Sequence, residues 1–113
     1  MDGQARARRI DGTPEAVATV VYSARSLRNI ERAFQFLRDE NPGAALAAVA
    51  AIQSAVSHLA SHPLLGRRVD GEIRELIISY GKTGYIALYR FVVPRDEVRI
   101  LALRHQKELG FMP

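Results

Sequence analysis

Arginine is the residue type in this chain with the clearest capacity for binding chemistry, because its planar guanidinium forms paired hydrogen bonds with carboxylates and phosphates. Among the 16 basic residues, only Lys82 and Lys107 are lysines. Several arginines fall in a loop or within apolar runs, where a charged side chain is uncommon without a partner. We therefore select a candidate partner-binding set: Arg67, Arg68, Arg74, Tyr89, Arg90, Arg104 and His105.

For one member of this set the sequence also offers a structural role. If the first hairpin of the predicted sheet pairs Tyr80 with Tyr85, Glu75 lies opposite Arg90. Opposite charges facing each other across two strands stabilise a sheet. The sequence therefore leaves Arg90 open to two interpretations, an internal ion pair or a contact with a partner.

The end of the last predicted strand is different. If the second hairpin pairs Val93 with Val98, Ala87 lies opposite Arg104, and His105 follows directly. Neither basic residue then has an acidic neighbour across the strands. Arg104 and His105 are accordingly the strongest functional candidates from sequence alone.

Other chemistries lack the residues that they need. His58 and His62 lie four apart on one helical face, but no third metal ligand is evident and His105 would require a tertiary contact. No glycine-rich phosphate loop, nucleophile elbow or paired carboxylate is present. We therefore assign no metal, no cofactor and no catalytic residue, and the chain contains no cysteine for a disulfide or a thiolate site.

Composition indicates one domain that positions these side chains. The chain has 113 residues, of which 48% are apolar and 25% are charged, which is typical of a single globular domain. No apolar run predicts a membrane span or a signal peptide, so we expect a cytoplasmic protein. The formal net charge of +4 belongs to residues 19–113, because the charges of the polar leader at residues 1–18 cancel. A basic domain favours an anionic partner, either protein or nucleic acid.

The predicted elements follow from periodicity. A β-branched run at 19–22 predicts a strand, and apolar residues at helical spacing predict helices at 24–40 and from 42 to about 61, separated by the Asn41-Pro42 restart signal. Residues 63–72 read as a loop, followed by strands at 73–80, 85–93 and 98–105. The order β-α-α-β-β-β predicts an α+β fold, with an antiparallel sheet, the first strand at its edge and an α-hairpin on one face. Both sheet faces are largely apolar, so the sequence does not decide which face meets the helices.

This arrangement resembles the RelE/ParE superfamily of bacterial type II toxins, closest to its ParE-like branch. The resemblance covers residues 19–111 and depends on the order and spacing of several short segments. They are Val21-Tyr22-Ser23, Asn41-Pro42, Ala44-Ala45, His62-Pro63-Leu64-Leu65-Gly66-Arg67, Ile73-Arg74-Glu75-Leu76, Gly84-Tyr85-Ile86-Ala87-Leu88-Tyr89-Arg90 and Ile100-Leu101-Ala102-Leu103-Arg104-His105-Gln106.

The resemblance implies a toxin that arrests growth, is neutralised by a cognate antitoxin in a hetero-oligomer, and contributes to plasmid stabilization. ParE-like members resemble binding proteins that inhibit DNA gyrase, whereas RelE-like members are ribosome-dependent endoribonucleases that cut messenger RNA. Several nuclease-like members carry a basic residue at the position matching Ile86, and some end in a tyrosine where Gln106 follows His105. Isoleucine cannot transfer a proton or stabilise a phosphate. These departures favour the gyrase-binding role over the enzyme, and a non-toxic interaction module of the same fold remains a third alternative.

Overall fold

The computed structural model describes residues 17–81, 83–108 and 110–111. The predicted leader at residues 1–18 therefore lies almost entirely outside the described residues. Two helices pack on one side of a five-stranded sheet, so the predicted α+β architecture with an α-hairpin on one face is confirmed. The elements are β1 Thr19–Tyr22, α1 Ala24–Glu40, α2 Pro42–Ser57, β2 Arg67–Asp70, β3 Ile73–Tyr80, β4 Thr83–Val92 and β5 Glu97–His105.

The helical hairpin forms where the capping residues predict it. The hydroxyl of Ser23 accepts a hydrogen bond from the Ser26 amide at 3.0 Å and caps α1. The side chain of Asn41 accepts from the Ala44 amide at 3.1 Å, and Pro42 occupies the first turn of α2. Because a single residue separates the two helices, α2 folds back along α1. A 3-10 turn at His58–Ala60 continues α2.

The sheet differs from the sequence prediction in two respects. Its strand order is β1-β5-β4-β3-β2, so β1 lies at an edge as expected, but it pairs with β5 in parallel and the sheet is mixed. Part of the predicted 63–72 loop forms the short strand β2, which pairs with β3. All four residues of β2 are exposed. A strand with no buried face carries no alternating hydrophobic signal, which is why periodicity missed it.

Both predicted hairpin registers are wrong. Tyr80 pairs with Thr83, which places Glu75 opposite Leu88 and Arg90 opposite Ile73. The first hairpin is thus shifted by two residues, a shift that keeps each side chain on its predicted face. The turn that connects the strands is one pair shorter than expected, with Gly81 at a φ of +61°.

The second hairpin contains a β-bulge that the sequence does not predict. Ala87 pairs with Leu103 instead of Arg104, and the register shifts between Leu88 and Tyr89. Such a bulge moves the following side chains of one strand to the other face. As a result Leu103 joins the core while Arg104 lies opposite Ile86.

The core lies between the helices and one face of the sheet. Helix α2 buries small and branched side chains against the strands, and β4 contributes Tyr85, Ala87 and Tyr89. The structure therefore settles which sheet face meets the helices.

The segment Pro42–Ala60 has a mean hydropathy of 1.5 and is long and apolar enough by composition to cross a membrane. Because its buried side chains form the core cluster, we interpret this segment as a core helix of the domain.

Candidate functional site

The face of the sheet that the helices leave uncovered, here called the open face, is the first place to look for a site. Tyr85, Ala87 and Tyr89 point into the core, so the alternating residues Ile86 and Arg90 of β4 lie on the open face. Ile86 pairs with Ile77 on one side and with Arg104 on the other. The middle of the open face is therefore apolar, and its charged residues lie around that centre.

Arg67 is engaged within the fold. Its guanidinium donates to the Glu75 carboxylate at 3.1 Å. Glu75 thus neutralises Arg67 and not Arg90, which corrects the predicted Glu75–Arg90 pair. The correction follows from strand β2, which brings Arg67 directly opposite Glu75.

Arg90 has a different neighbour, one that sequence analysis missed. It pairs across the strands with Arg99, a residue of like charge. Arg99 is compensated by Glu97, whose carboxylate accepts from the Arg99 guanidinium at 2.8 and 2.9 Å. The exposed side chain of Arg90 makes no hydrogen bond or ion pair within the described part of the chain. The alternation of Glu97 and Arg99 in β5 was visible in the sequence, but only the register places them beside Arg90.

Tyr89 is a structural residue, and its inclusion in the partner-binding set is wrong because its side chain is fully buried. Its hydroxyl accepts from the Gly66 amide at 2.8 Å and donates to the Pro63 carbonyl at 2.9 Å. Burial raises the pKa of the Tyr89 phenol, an effect that the Gly66 hydrogen bond and the charge of Arg74 oppose. Tyr89 therefore fastens the loop before β2 to the sheet.

Arg104 is also largely occupied by internal contacts. One guanidinium nitrogen donates to the carbonyls of His105, Gln106 and Glu108, the last at 2.7 Å. The guanidinium carbon lies 5.1 Å from the centre of the Phe111 ring, within cation–π range. Arg104 thus holds the C-terminal turn, a role that its sequence context did not suggest.

His105 lies on the helix side of β5, separated from Arg104 by the alternation of the strand. Its ring contacts Tyr85 edge to face, with 5.4 Å between the centres. Both residues line a cavity of about 430 Å³, here called the C-terminal pocket, between α1 and the end of β5. Ala33, Phe36 and Leu103 supply its apolar wall. Its charged lining residues are Arg32, Arg104, Lys107 and Glu108. Arg104 lies opposite Ile86 of the open face, but it also lines the C-terminal pocket, and this is where it meets His105.

The remaining arginines of the set meet at the opposite end of β4. A cavity of about 560 Å³, here called the cationic cleft, is lined by Arg68, Arg74 and Arg90. Its other lining residues are Leu64, Glu72, Phe91, Val92, Val93 and Pro94. The candidate partner-binding set is therefore divided between the two ends of the sheet, and Arg67 and Tyr89 line neither cavity.

The histidines do not assemble into a metal site among the described residues. No group of three or more His, Cys, Asp or Glu side chains there is placed to hold a metal ion. His58 and His62 are exposed near the end of α2. The arrangement as a whole offers binding surfaces built from arginine and aliphatic side chains.

A helical hairpin on a small mixed sheet, with a cavity lined by charged residues at each end of the sheet, defines a small α+β domain. The model of the family "ParE toxin of type II toxin-antitoxin system, parDE" matches residues 20–110. The chain belongs to this family and is a type II toxin of the RelE/ParE superfamily.

Curated relatives and solved structures agree with this assignment. Toxin RelE3 of Caulobacter vibrioides is 38% identical over 90 residues, covering 80% of this chain and 96% of the relative. Toxin RelE1 of the same organism is 31% identical over 74 residues, covering 66% of this chain and 80% of the relative. Their names belong to one branch of the superfamily and the matching family model to the other.

Two solved complexes share the fold. The chromosomal ParDE toxin–antitoxin system of P. aeruginosa matches with a TM-score of 0.66 at 17% identity, covering 79% of this chain and 96% of that chain. The toxin–antitoxin complex RelBE2 of Mycobacterium tuberculosis matches with a TM-score of 0.55 at 22% identity, covering 80% and 99%. At these identities the likeness concerns the fold.

Proposed function

We propose that this toxin inhibits DNA gyrase by direct binding in the cytoplasm and is neutralised by a cognate antitoxin. The observation that carries the proposal is the apolar centre of the open face. Ile86 is 7% exposed between Ile77 and Arg104. Cleavage of RNA next to a 2′-hydroxyl requires groups that remove a proton, stabilise a charged phosphate and protonate the leaving oxygen. An isoleucine pair provides none of these functions.

Three polar residues that could replace them, all but Arg90, are engaged elsewhere in the fold. Arg104 donates to three backbone carbonyls, the hydroxyl of Tyr89 is enclosed in the core, and His105 lies on the other side of the sheet. A toxin whose side chains are engaged in this way is suited to act by occupying a partner's surface. Binding to gyrase needs shape and charge complementarity, not proton transfer.

The antitoxin part of the proposal has independent support. Both solved neighbours come from toxin–antitoxin systems. The C-terminal pocket offers an apolar wall, including Phe36 at 67% exposure, beside three cations and one carboxylate, a net positive lining. An amphipathic acidic segment of an antitoxin would satisfy both features.

A ribosome-dependent messenger RNA endonuclease is the second candidate. It is favoured by the names of the two curated relatives, both called RelE, and by the uncompensated Arg90 on the open face. A guanidinium of this kind suits a phosphate. A non-toxic binding module of the same fold is the third.

Two purified assays and one growth assay separate the three candidates. We expect the protein to block supercoiling by purified gyrase and to leave messenger RNA intact in the presence of ribosomes. Ribosome-dependent cleavage without an effect on gyrase would overturn the proposal in favour of the nuclease. Normal growth after induced expression, with soluble protein present, would leave only the non-toxic module.

A further inference from the structure

The end of the sheet at the cationic cleft contains an unusual concentration of like charges. Arg68 lies directly opposite Arg74 across β2 and β3, and Arg90 lies directly opposite Arg99 across β4 and β5. Like charges directly opposite each other destabilise a sheet. Arg99 alone among the four is paired with a carboxylate in the described structure. The repulsion between these arginines destabilises this end of the sheet, whereas the charge of Arg67 is compensated by Glu75.

Within residues 17–81, 83–108 and 110–111, the three arginines that line the cleft make hydrogen bonds only with backbone carbonyls, or none. Arg68 donates to the Gly71 carbonyl at 3.0 Å, and Arg74 donates to the carbonyls of Leu64 and Gly66 at 3.3 and 2.8 Å. Such contacts orient a guanidinium without neutralising its charge. Glu72 is the one acidic residue in the lining. The charged residues of the lining therefore sum to a net charge of +2.

The walls of the cleft point to the class of partner. Leu64 and Val93 are 60% and 69% exposed, and Pro94 continues the apolar wall. Arginine is enriched at protein interfaces, and the buried centre of such an interface is largely apolar. A site for single-stranded nucleic acid would instead present aromatic rings on which bases stack, and Phe91, the aromatic residue of the lining, packs against the core.

The backbone beside the cleft is suited to an extended segment. The last pair between β3 and β4 joins Ile73 to Arg90, whereas β4 continues to Val92. At Phe91 and Val92 the edge of β4 that faces away from β5 therefore has no strand partner. An added strand uses such an edge for main-chain hydrogen bonds and nearby pockets for its side chains.

From these observations we infer that the cationic cleft is the surface with which the toxin grips its protein target, through an extended acidic segment that also carries aliphatic side chains. This inference rests on the proposed function for its premise that the target is a protein. The carboxylates of the segment would lie between Arg68, Arg74 and Arg90. Its aliphatic side chains would contact Leu64 and Val93.

A binding experiment on the purified full chain tests the cleft without reference to gyrase. A short peptide of alternating Glu and Leu is titrated into the labelled protein, and backbone amide and arginine Nε NMR signals are followed. We expect the shifts to concentrate on the cleft residues. The charge-reversed double variant R68E/R90E should weaken binding by about 100-fold, because two close charge pairs are replaced by repulsion.

The matched control is R28E/R38E, which makes the same change of charge at two exposed positions of α1 outside the cleft. It should change the affinity by less than about 3-fold, the share owed to long-range charge. Equal weakening by both double variants would overturn the inference, as would shifts centred elsewhere or no binding. Tighter binding of a single-stranded RNA oligomer than of the peptide at these residues would overturn it in favour of a nucleic-acid site.

The gyrase assay then separates the inference from the proposed function. Peptide binding at the cleft by a protein that leaves gyrase unaffected would contradict the proposed target while supporting the cleft. Conversely, gyrase inhibition that R68E/R90E leaves intact would remove the cleft from target recognition while the proposed function stands. Loss of inhibition in R68E/R90E but not in R28E/R38E supports both.

Discussion

The two ends of β4 place arginines in opposite situations. At the end near Tyr85, Arg104 donates to three carbonyls and lies over Phe111, so its charge is used to hold the C-terminal turn. At the other end, Arg90 faces Arg99 and has no side-chain partner among the described residues. The same residue type therefore stabilises the fold at one end and is left available at the other. An arginine in an apolar strand is therefore a candidate binding residue only when it has no partner within the fold.

The largest expected effect on stability is at Gly66, in the loop before β2 that Tyr89 holds against the sheet. A Cβ added there would lie 2.5 Å from the Glu75 carbonyl oxygen and 2.7 Å from the Tyr89 ring. Because backbone and a buried ring cannot both move, we expect Gly66→Ala to lower the free energy of unfolding by about 3 kcal/mol. Urea denaturation measures the change. Gly43→Ala, where the nearest atom is 3.4 Å away, is the control and should stay within about 0.5 kcal/mol; equal loss in both would contradict the role given to Gly66.

The next largest effect on stability is expected at Arg104, at the end of β4 where an arginine stabilises the fold. Arg104→Ala removes the three hydrogen bonds to the C-terminal turn and the contact with Phe111. We expect a loss of about 2 kcal/mol in the free energy of unfolding. Thermal denaturation should show a lower Tm, and Arg104→Lys should recover only part of it, since an ammonium lacks the planar fork. Unchanged stability with lost toxicity would instead return Arg104 to the binding surface.

The buried tyrosines predict a dependence on alkaline pH. Burial raises the pKa of Tyr22, Tyr85 and Tyr89 above the ordinary value of 10.0. Above that value the unfolded chain loses protons that the folded chain retains, so stability falls as pH rises through this window. Each tyrosine contributes at most about 1.4 kcal/mol per pH unit. Urea midpoints should be level from about pH 8 to 9 and decrease above 10, less steeply in Tyr89→Phe; an increase above pH 10 would contradict the assignment.

The smallest expected effect on stability is at Arg90, at the opposite end of β4. Arg90→Ala removes a side chain that has no hydrogen bond or ion pair in the part of the chain that the structure describes, and it relieves the repulsion with Arg99. We expect the free energy of unfolding to change by less than about 0.5 kcal/mol. Because a repulsion between like charges is removed, we expect this change to be an increase. Gyrase inhibition should nevertheless weaken by about 10-fold. A marked loss of stability would show that Arg90 has a structural partner after all.

Much of the architecture was predictable because it depends on local signals. Ser23, Asn41 and Pro42 set the ends of the helices, and alternating apolar residues set three of the strands. The short strand β2 was not predictable, since its exposed residues have no core to pattern against. The candidate site was predicted only in part. Arg68, Arg74 and Arg90 do meet, whereas Tyr89 is buried and Arg104 is engaged.

What the sequence by itself determined is the supply of arginines, the two capped helices and the family to which the chain belongs, because composition, capping and spacing are properties of neighbouring residues. Only the tertiary structure decided which arginines are neutralised. The pairing of β2 with β3 placed Arg67 opposite Glu75, and the bulge in the second hairpin exchanged the faces of Leu103 and Arg104. Register and bulges depend on packing between distant strands, and a change of one or two residues there determines which charges meet.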